Sequence, residues 1–166
     1  MTVQTVRESD WEALKELRLG MLSDAPDAYK ADPATALRLS ESDWRAFASR
    51  TNLFVFAKRL PDGEVMGGAS IQPVGSPADT PSIALVTSVF VRPEFRGHGV
   101  VDRLFEALDT LAMGLGRSRI RLEVSSAALE SLARFEALGF RTTGAERPMP
   151  GSDEIRLIAA ERDVRA

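Results

Sequence analysis

Phe90-Val91-Arg92-Pro93-Glu94-Phe95-Arg96-Gly97-His98-Gly99-Val100-Val101-Asp102 is the stretch from which the rest of the chain can be read. It joins a long apolar strand to an amphipathic helix. A helix start leaves several backbone N–H groups without intrahelical partners, and the helix dipole adds partial positive charge there. Such donors hold phosphate. Gly97 and Gly99 let the backbone come close to a ligand, and Arg96 adds a cationic fork for the same anion. Three glycines after a first strand would be needed for a dinucleotide fingerprint, and a Gly-Lys-Ser/Thr end for a Walker loop; neither is present. The segment therefore reads as an anion-binding strand-loop-helix joint of another kind.

Outward from this joint, Ile83 to Val91 is nearly continuous in apolar and β-branched residues, as a central strand should be. Ahead of it, Leu53 to Ala57 and Val65 to Pro73 read as strands, joined by a turn at Pro61-Asp62-Gly63-Glu64. Further back, Ser9-Asp10-Trp11-Glu12 reads as a capping box opening a helix to about Ser23, through Leu14, Leu17, Met21 and Leu22. Ser40-Glu41-Ser42-Asp43 opens a second helix through Trp44, Phe47 and Ala48. Val3 to Arg7 alternates as a short first strand. After the joint, Val100, Leu104, Leu108 and Leu111 form the apolar stripe of a helix ended by Gly114 and Gly116. Ile120 to Val124 alternates as a strand. Leu129, Leu132, Phe135 and Leu138 mark a helix closed by Gly139. Phe140 starts a further strand, a turn-rich loop covers Glu146 to Asp153, and Ile155 to Ala160 is the last strand. The order βααβββαβαββ predicts an α/β (α+β) fold with a mixed, mostly antiparallel sheet. No repeat, linker or second domain is visible, so residues 1–166 are expected to form a single domain.

Composition narrows the function. The chain has 166 residues, 44% hydrophobic and 27% charged, with a net charge of −3. That balance is ordinary for a globular protein and lacks the basic excess of a nucleic-acid or anionic-membrane surface. No cysteine and one histidine exclude disulfides, thiolate chemistry and multi-histidine metal sites, so no metal is expected. No apolar run approaches the ~20 residues of a membrane span, and Met1-Thr2-Val3-Gln4 lacks signal-peptide character. A cytoplasmic protein is expected.

The lead-in and loop from Val91 to Gly99 resemble the acetyl-CoA loop of the GCN5-related N-acetyltransferase (GNAT) superfamily. Leu122-Glu123-Val124 and Leu138-Gly139-Phe140 resemble its second motif. Leu17-Arg18-Leu19 and Asp24-Ala25-Pro26-Asp27-Ala28-Tyr29 look like the opening of many bacterial members. The resemblance implies a sheet whose fourth and fifth strands splay apart to admit the pantetheine arm, flanked by about four helices. It implies acetyl-CoA as cosubstrate and direct transfer of acetyl to a small amine or a peptide N-terminus. Carried over by position, Arg96, Gly97, His98, Gly99, Val100 and Val101 would bind the pyrophosphate, and the main chain of Val89, Phe90 and Val91 would pair with pantetheine. Oligomeric state is left open, a homodimer included.

Three positions depart from the family pattern. The loop ends in Val101 where Gly or Ala is usual. Phe135 stands where a Tyr often protonates the departing thiolate, and Ala128 where an Asn is common; phenylalanine has no proton to give. Ile83 to Val91 holds no acid to serve as base, only Thr87 and Ser88 as polar side chains. No catalytic residue is therefore assigned. A catalytically degenerate CoA-binding module of the same fold is the alternative reading. His98 reads as a loop residue whose backbone N–H matters more than its ring. Glu123 reads as turned away from the cleft, pairing with Arg119 or Arg121. Ser125 and Ser126 either bond pantetheine amides or lead into the helix. Trp11 and Trp44 read as packing residues, Tyr29 as either orienting a substrate or half-buried core, and Arg162 and Arg165 as solvated charge. Specificity is expected in the early helices and in the loops Gly75 to Pro81 and Glu146 to Asp153.

Overall fold

The computed structural model describes residues 1–29, 32–50 and 53–166. The chain forms two compact units: Met1–Pro26, Ala31–Ser70 and Ser88–Leu108 in the first, Asp27–Lys30, Ile71–Thr87 and Asp109–Ala166 in the second. Seven strands are hydrogen-bonded in the order β1-β2-β3-β4-β5-β7-β6. Strands β3 (Val65–Val74) and β4 (Ile83–Val91) and helix α4 (Val100–Gly114) each run from one unit into the other.

The first unit holds β1 (Thr2–Thr5), α1 (Trp11–Asp24), α2 (Pro33–Leu37), α3 (Glu41–Arg50) and β2 (Phe54–Lys58). β1 pairs antiparallel with β2, and β2 with β3. Leu14, Leu17, Met21 and Leu22 of α1 are all buried, as their spacing predicts. The cap of α1 differs from expectation. Ser9 lies inside a 3₁₀ turn, Glu8–Asp10, and the box is made two residues earlier in the chain: the Arg7 N–H donates to Asp10 Oδ2 at 2.9 Å. The second box forms as read. Ser40 N–H donates to Asp43 Oδ2 at 2.9 Å, and Asp43 N–H to Ser40 Oγ at 3.2 Å. Helix α2 adds to the two early helices that the sequence pattern predicts. It has five residues, too few for a periodic stripe, and is announced only by Asp32, whose carboxylate takes the N–H groups of Ala34 and Thr35, and by Pro33 at its first position.

The second unit holds β5 (Arg119–Ser125), α5 (Leu129–Ala137), β6 (Arg141–Pro148) and β7 (Arg156–Asp163). β4 and β5 pair in parallel over Ile83↔Arg119, Ala84↔Ile120 and Leu85↔Arg121, and the ladder has no further pair. The sheet is thus mixed, as expected, and the parallel β4–β5 ladder is short. α5 closes at Gly139, φ +93°, with Phe140 N–H donating to the Phe135 carbonyl five residues back. β6 reaches Pro148, so the loop expected from Glu146 starts later, at Met149; exposure along the whole strand hides the alternation that would have marked it. Glu123 does turn to the charged side of the sheet, but its partner is Arg147 of β6, with both oxygens engaged at 2.7 Å. Arg119 and Arg121 instead meet Asp163 and Glu161, the residues opposite them on β7.

Of the two C-terminal arginines, Arg165 is exposed, but Arg162 is not solvated charge. Arg162 is 7% exposed, and its Nη1 and Nη2 each reach Asp109, itself buried on α4, at 2.8 Å. The guanidinium stacks over the Phe140 ring at 5.0 Å, and Asp109 also takes the Arg165 N–H. Nothing in the local sequence reveals this, because the partners are 53 residues apart. Removing one member leaves a buried charge unpaired. Arg162→Met should lower the unfolding free energy by about 3–5 kcal/mol in urea titration, whereas a surface salt-bridge variant such as Arg103→Met should change it by no more than about 1 kcal/mol.

A second expectation concerns pH. The Ser40 hydroxyl, then the Ser40 N–H, holds the Asp43 carboxyl below the usual carboxylate range. A depressed folded-state pKa means the cap contributes fully above the unfolded value, about 4, and is lost as pH falls through the lower folded one. Carboxyl NMR should show Asp43 titrating below free aspartate, and Ser40→Ala should move it back.

Candidate active site

β4 carries the expected site into the first unit. Val89 is half-buried, Phe90 and Val91 are buried, and the strand then hands over through a 3₁₀ turn, Pro93–Phe95, to α4. Phe95 anchors the turn in the core, with Arg59 stacked on its ring at 5.4 Å. Arg96, Gly97, His98 and Gly99 are exposed, Val100 is buried and Val101 is half-buried. The Val100 side chain is buried in the core. The first intrahelical bond runs from Arg103 N–H to Gly99 C=O, so the helix takes up none of the amides ahead of it. Gly97 and Gly99 have φ +80° and +71°, and a Cβ on either would meet nothing within 4 Å. Beside these two glycines the backbone is therefore unobstructed, and Arg96 to Gly99 include no carboxylate.

The side chains of the loop are less available than the backbone. Arg96 Nη2 is bonded to Asp24 Oδ2 at the end of α1, its Nε donates to the Val91 carbonyl at 3.2 Å, and the guanidinium lies over the Phe90 ring. The fork expected to grip the anion is already committed to a carboxylate and to the strand. Arg92 behaves alike, meeting Glu16 of α1 at 3.4 Å. His98 Nδ1 sits 2.9 Å from the Arg96 carbonyl, so the ring folds onto its own loop.

The strand itself contains a feature absent from the sequence reading. Ser88 has φ +54°, rare for a residue with a side chain. Its hydroxyl accepts a hydrogen bond from Arg18 Nη1 of α1 at 3.1 Å. Beside it, β3 approaches β4 unusually closely. A Cβ at Gly67 would sit 2.6 Å from the Phe90 carbonyl oxygen and 3.1 Å from Val91 Cα. A Cβ at Gly68, on the other face, would strike Phe54, Leu17 and the Val55 carbonyl. Two adjacent glycines inside a strand were the available signal.

Several expected contributors are occupied elsewhere. Ser125, 2% exposed, donates to the Asp27 carbonyl at 2.8 Å, and Ser126 Oγ takes the Arg156 N–H at 3.0 Å, so both hydroxyls bond backbone groups distant in sequence. Phe135 packs edge-on against Phe140 at 6.1 Å, and Ala128 caps α5 without a side-chain bond. Glu123 is tied to Arg147. Trp44 is fully buried, Trp11 is half-buried under Arg45, and Tyr29 is half-buried. Among the described residues no group of three His, Cys, Asp or Glu could hold a metal ion, and no helix is long and apolar enough to cross a membrane.

Known proteins share this architecture. The model of the acetyltransferase (GNAT) family matches residues 11–140. Among solved structures, a GCN5-related N-acetyltransferase from Kribbella flavida is 22% identical with TM-score 0.72, over 98% of this chain and 96% of that one. A phosphinothricin acetyltransferase of the GNAT superfamily from Sinorhizobium meliloti, in complex with acetyl-CoA, is 19% identical with TM-score 0.77, over 98% and 88%. A ribosomal-protein-alanine N-acetyltransferase from Brucella melitensis is 17% identical with TM-score 0.71, over 98% and 99%. Among curated proteins, none matches the chain in sequence.

The close approach at Gly67 makes one expectation. Gly67→Ala forces the Phe90 carbonyl to move, at a cost of about 1–3 kcal/mol. The amide resonances of Phe90 to Arg92 should shift while those of β7 do not; an unshifted β4 end would show that the contact is not constraining.

Proposed function

This chain belongs to the GNAT acetyltransferase family, and from that premise we propose that it transfers acetyl from acetyl-CoA directly to the nitrogen of a small amine or a peptide N-terminus, as one domain spanning residues 1–166, in the cytoplasm. The observation that carries the proposal is the open run of backbone donors at the start of α4, flanked by Gly97 and Gly99. These amides suit the pyrophosphate, and the end of β4, Val89 to Val91, suits the amides of the pantetheine arm as an added edge. Acetyl-CoA binding by the Sinorhizobium neighbour supports the same choice of cosubstrate. The neighbours act on acceptors of different size by their names, so the fold does not by itself choose one.

The chemistry asks three things of the protein. It must align an unprotonated amine with the thioester carbonyl, exclude competing water, and release a thiolate. Alignment alone supplies up to about 7–11 kcal/mol of a bimolecular barrier. A thiolate whose ordinary pKa is about 8.5 leaves without a strong acid. That is consistent with Phe135 standing where a proton donor is usual and with the absence of an acid on β4. The chain's own contribution is binding and orientation, and the amine proton passes to water.

Calorimetric titration with acetyl-CoA, paired with thiol release over a broad amine panel, tests this reading. Wild type should bind at micromolar to millimolar ligand and turn over at least one amine. Gly99→Glu sets a carboxylate into the open space and should weaken binding by at least about 100-fold. Arg96→Ala should cost less than about tenfold, because its guanidinium is already shared with Asp24. No binding at millimolar acetyl-CoA contradicts the proposal; tight binding with no turnover on any amine favours a carrier or structural module instead.

A further inference from the structure

Three arginines rise from or face α1 in the first unit, and their surroundings differ. Arg92 meets Glu16 and Arg96 meets Asp24. Arg18 meets neither. It is half-buried, with the Phe47 ring beneath it at 5.3 Å and the Ser88 hydroxyl on Nη1 at 3.1 Å. Among the described residues no carboxylate lies within ion-pair distance of it. An arginine cannot shed its proton to relieve this. A guanidinium withdrawn from water without a counter-charge is costly, and burial pushes Arg18 below the usual arginine value. The fork has five donors, and the Ser88 hydroxyl occupies one nitrogen.

Where Arg18 points matters as much as what it lacks. If the pyrophosphate rests on Gly97 to Val101 and the pantetheine arm runs along Val91 to Val89, the thioester end comes next to Ser88. Strand rise, about 3.3 Å per residue, puts Ser88 about 10 Å down the strand from Val91. Ser88 is also where the strand takes up a left-handed conformation, φ +54°. Arg18 is thus fixed at the one strand residue beside which the acceptor nitrogen must stand.

We infer that Arg18 is the acceptor-recognition residue, and that the acceptor is a small amine carrying a free carboxylate close to the nitrogen, as in an amino acid, with the carboxylate held by the unshared donors of the Arg18 fork. This inference rests on the acetyltransferase reading above and narrows it. An α-carboxylate is two bonds from its amine, so one fork can hold the acid while the nitrogen faces the thioester. Phe47 holds the guanidinium plane from below, and Ser88 fixes its rotation. The carboxylate supplies the counter-charge that the fold omits. Two other roles would use the same geometry: a pin that only maintains the Ser88 bend, and a donor to negative charge developing on the thioester oxygen. Neither depends on whether the acceptor carries a carboxylate.

The experiment uses the full chain, acetyl-CoA, and matched acceptor pairs: free amino acids, their carboxamides, and the corresponding amines lacking the carboxyl group. Acetyl-CoA affinity is measured on each variant first. Wild type should favour the carboxylate member of a pair in kcat/KM by about 10- to 100-fold, the usual worth of a hydrogen-bonded charge pair. Arg18→Gln should collapse that ratio towards one, mainly through KM, with acetyl-CoA affinity within about threefold of wild type. Arg18→Lys should restore part of the ratio, since it keeps the charge without the planar fork. Equal loss on both members of each pair overturns the inference in favour of a pin or an oxyanion donor. A wild type that takes amines but ignores the carboxylate overturns it as well, while leaving the acetyltransferase reading intact. Failure of wild type to bind acetyl-CoA overturns both.

Discussion

The approach of β3 to β4 at Gly67 sets what the first unit can do. With a hydrogen in place of a side chain, the β3 backbone comes within van der Waals reach of the Phe90 carbonyl and Val91. Arg92 N–H then donates to the Met66 carbonyl at 2.9 Å, which fixes where the strand ends. Every later element of the site is referred to that point. The 3₁₀ turn is held by Phe95 in the core, and the helix begins where Val100 is buried. Both ends of the loop are thus held by packed side chains, Phe95 before it and Val100 after it. Gly97 and Gly99 supply the positive φ values that the short connection needs.

Charge in this region is carried by carboxylate–arginine pairs rather than by free cations. Glu16 and Asp24 lie on α1 and meet Arg92 and Arg96. An anion arriving at the loop is therefore met first by backbone dipoles, whose strength does not depend on pulling an arginine from its partner. Arg18 stands apart from this scheme. Its surroundings are aromatic and hydroxylic, and its charge is the one in the group left without an acid. The contrast among neighbouring arginines, rather than the presence of any one of them, carries the argument about the acceptor.

The sequence made much of this legible where local physics decides the outcome. β4 runs from Ile83 to Val91 as read, since a continuous β-branched run has few other solutions. The loop glycines and the start of α4 follow from the same segment, and Ser40 with Asp43 forms the cap that its spacing suggests. What stayed hidden depends on distant partners. Arg96 is claimed by Asp24, 72 residues away, and Arg162 by Asp109, 53 away. Neither pairing leaves a mark in the residues around it. The Ser88 bend is equally silent, because serine has no preference for a left-handed backbone. Glu123 was placed on the correct face, but its partner is set by the order β5-β7-β6, which alternation along one strand cannot reveal.

The most direct test of the central claim is a crystal structure of the full chain with acetyl-CoA. The expected result has the pyrophosphate oxygens within about 3 Å of the N–H groups between Gly97 and Val101, the pantetheine amides bonded to the Val89–Val91 backbone, and the thioester beside Ser88. A pyrophosphate bound by side chains elsewhere, with those loop amides solvated, would contradict it.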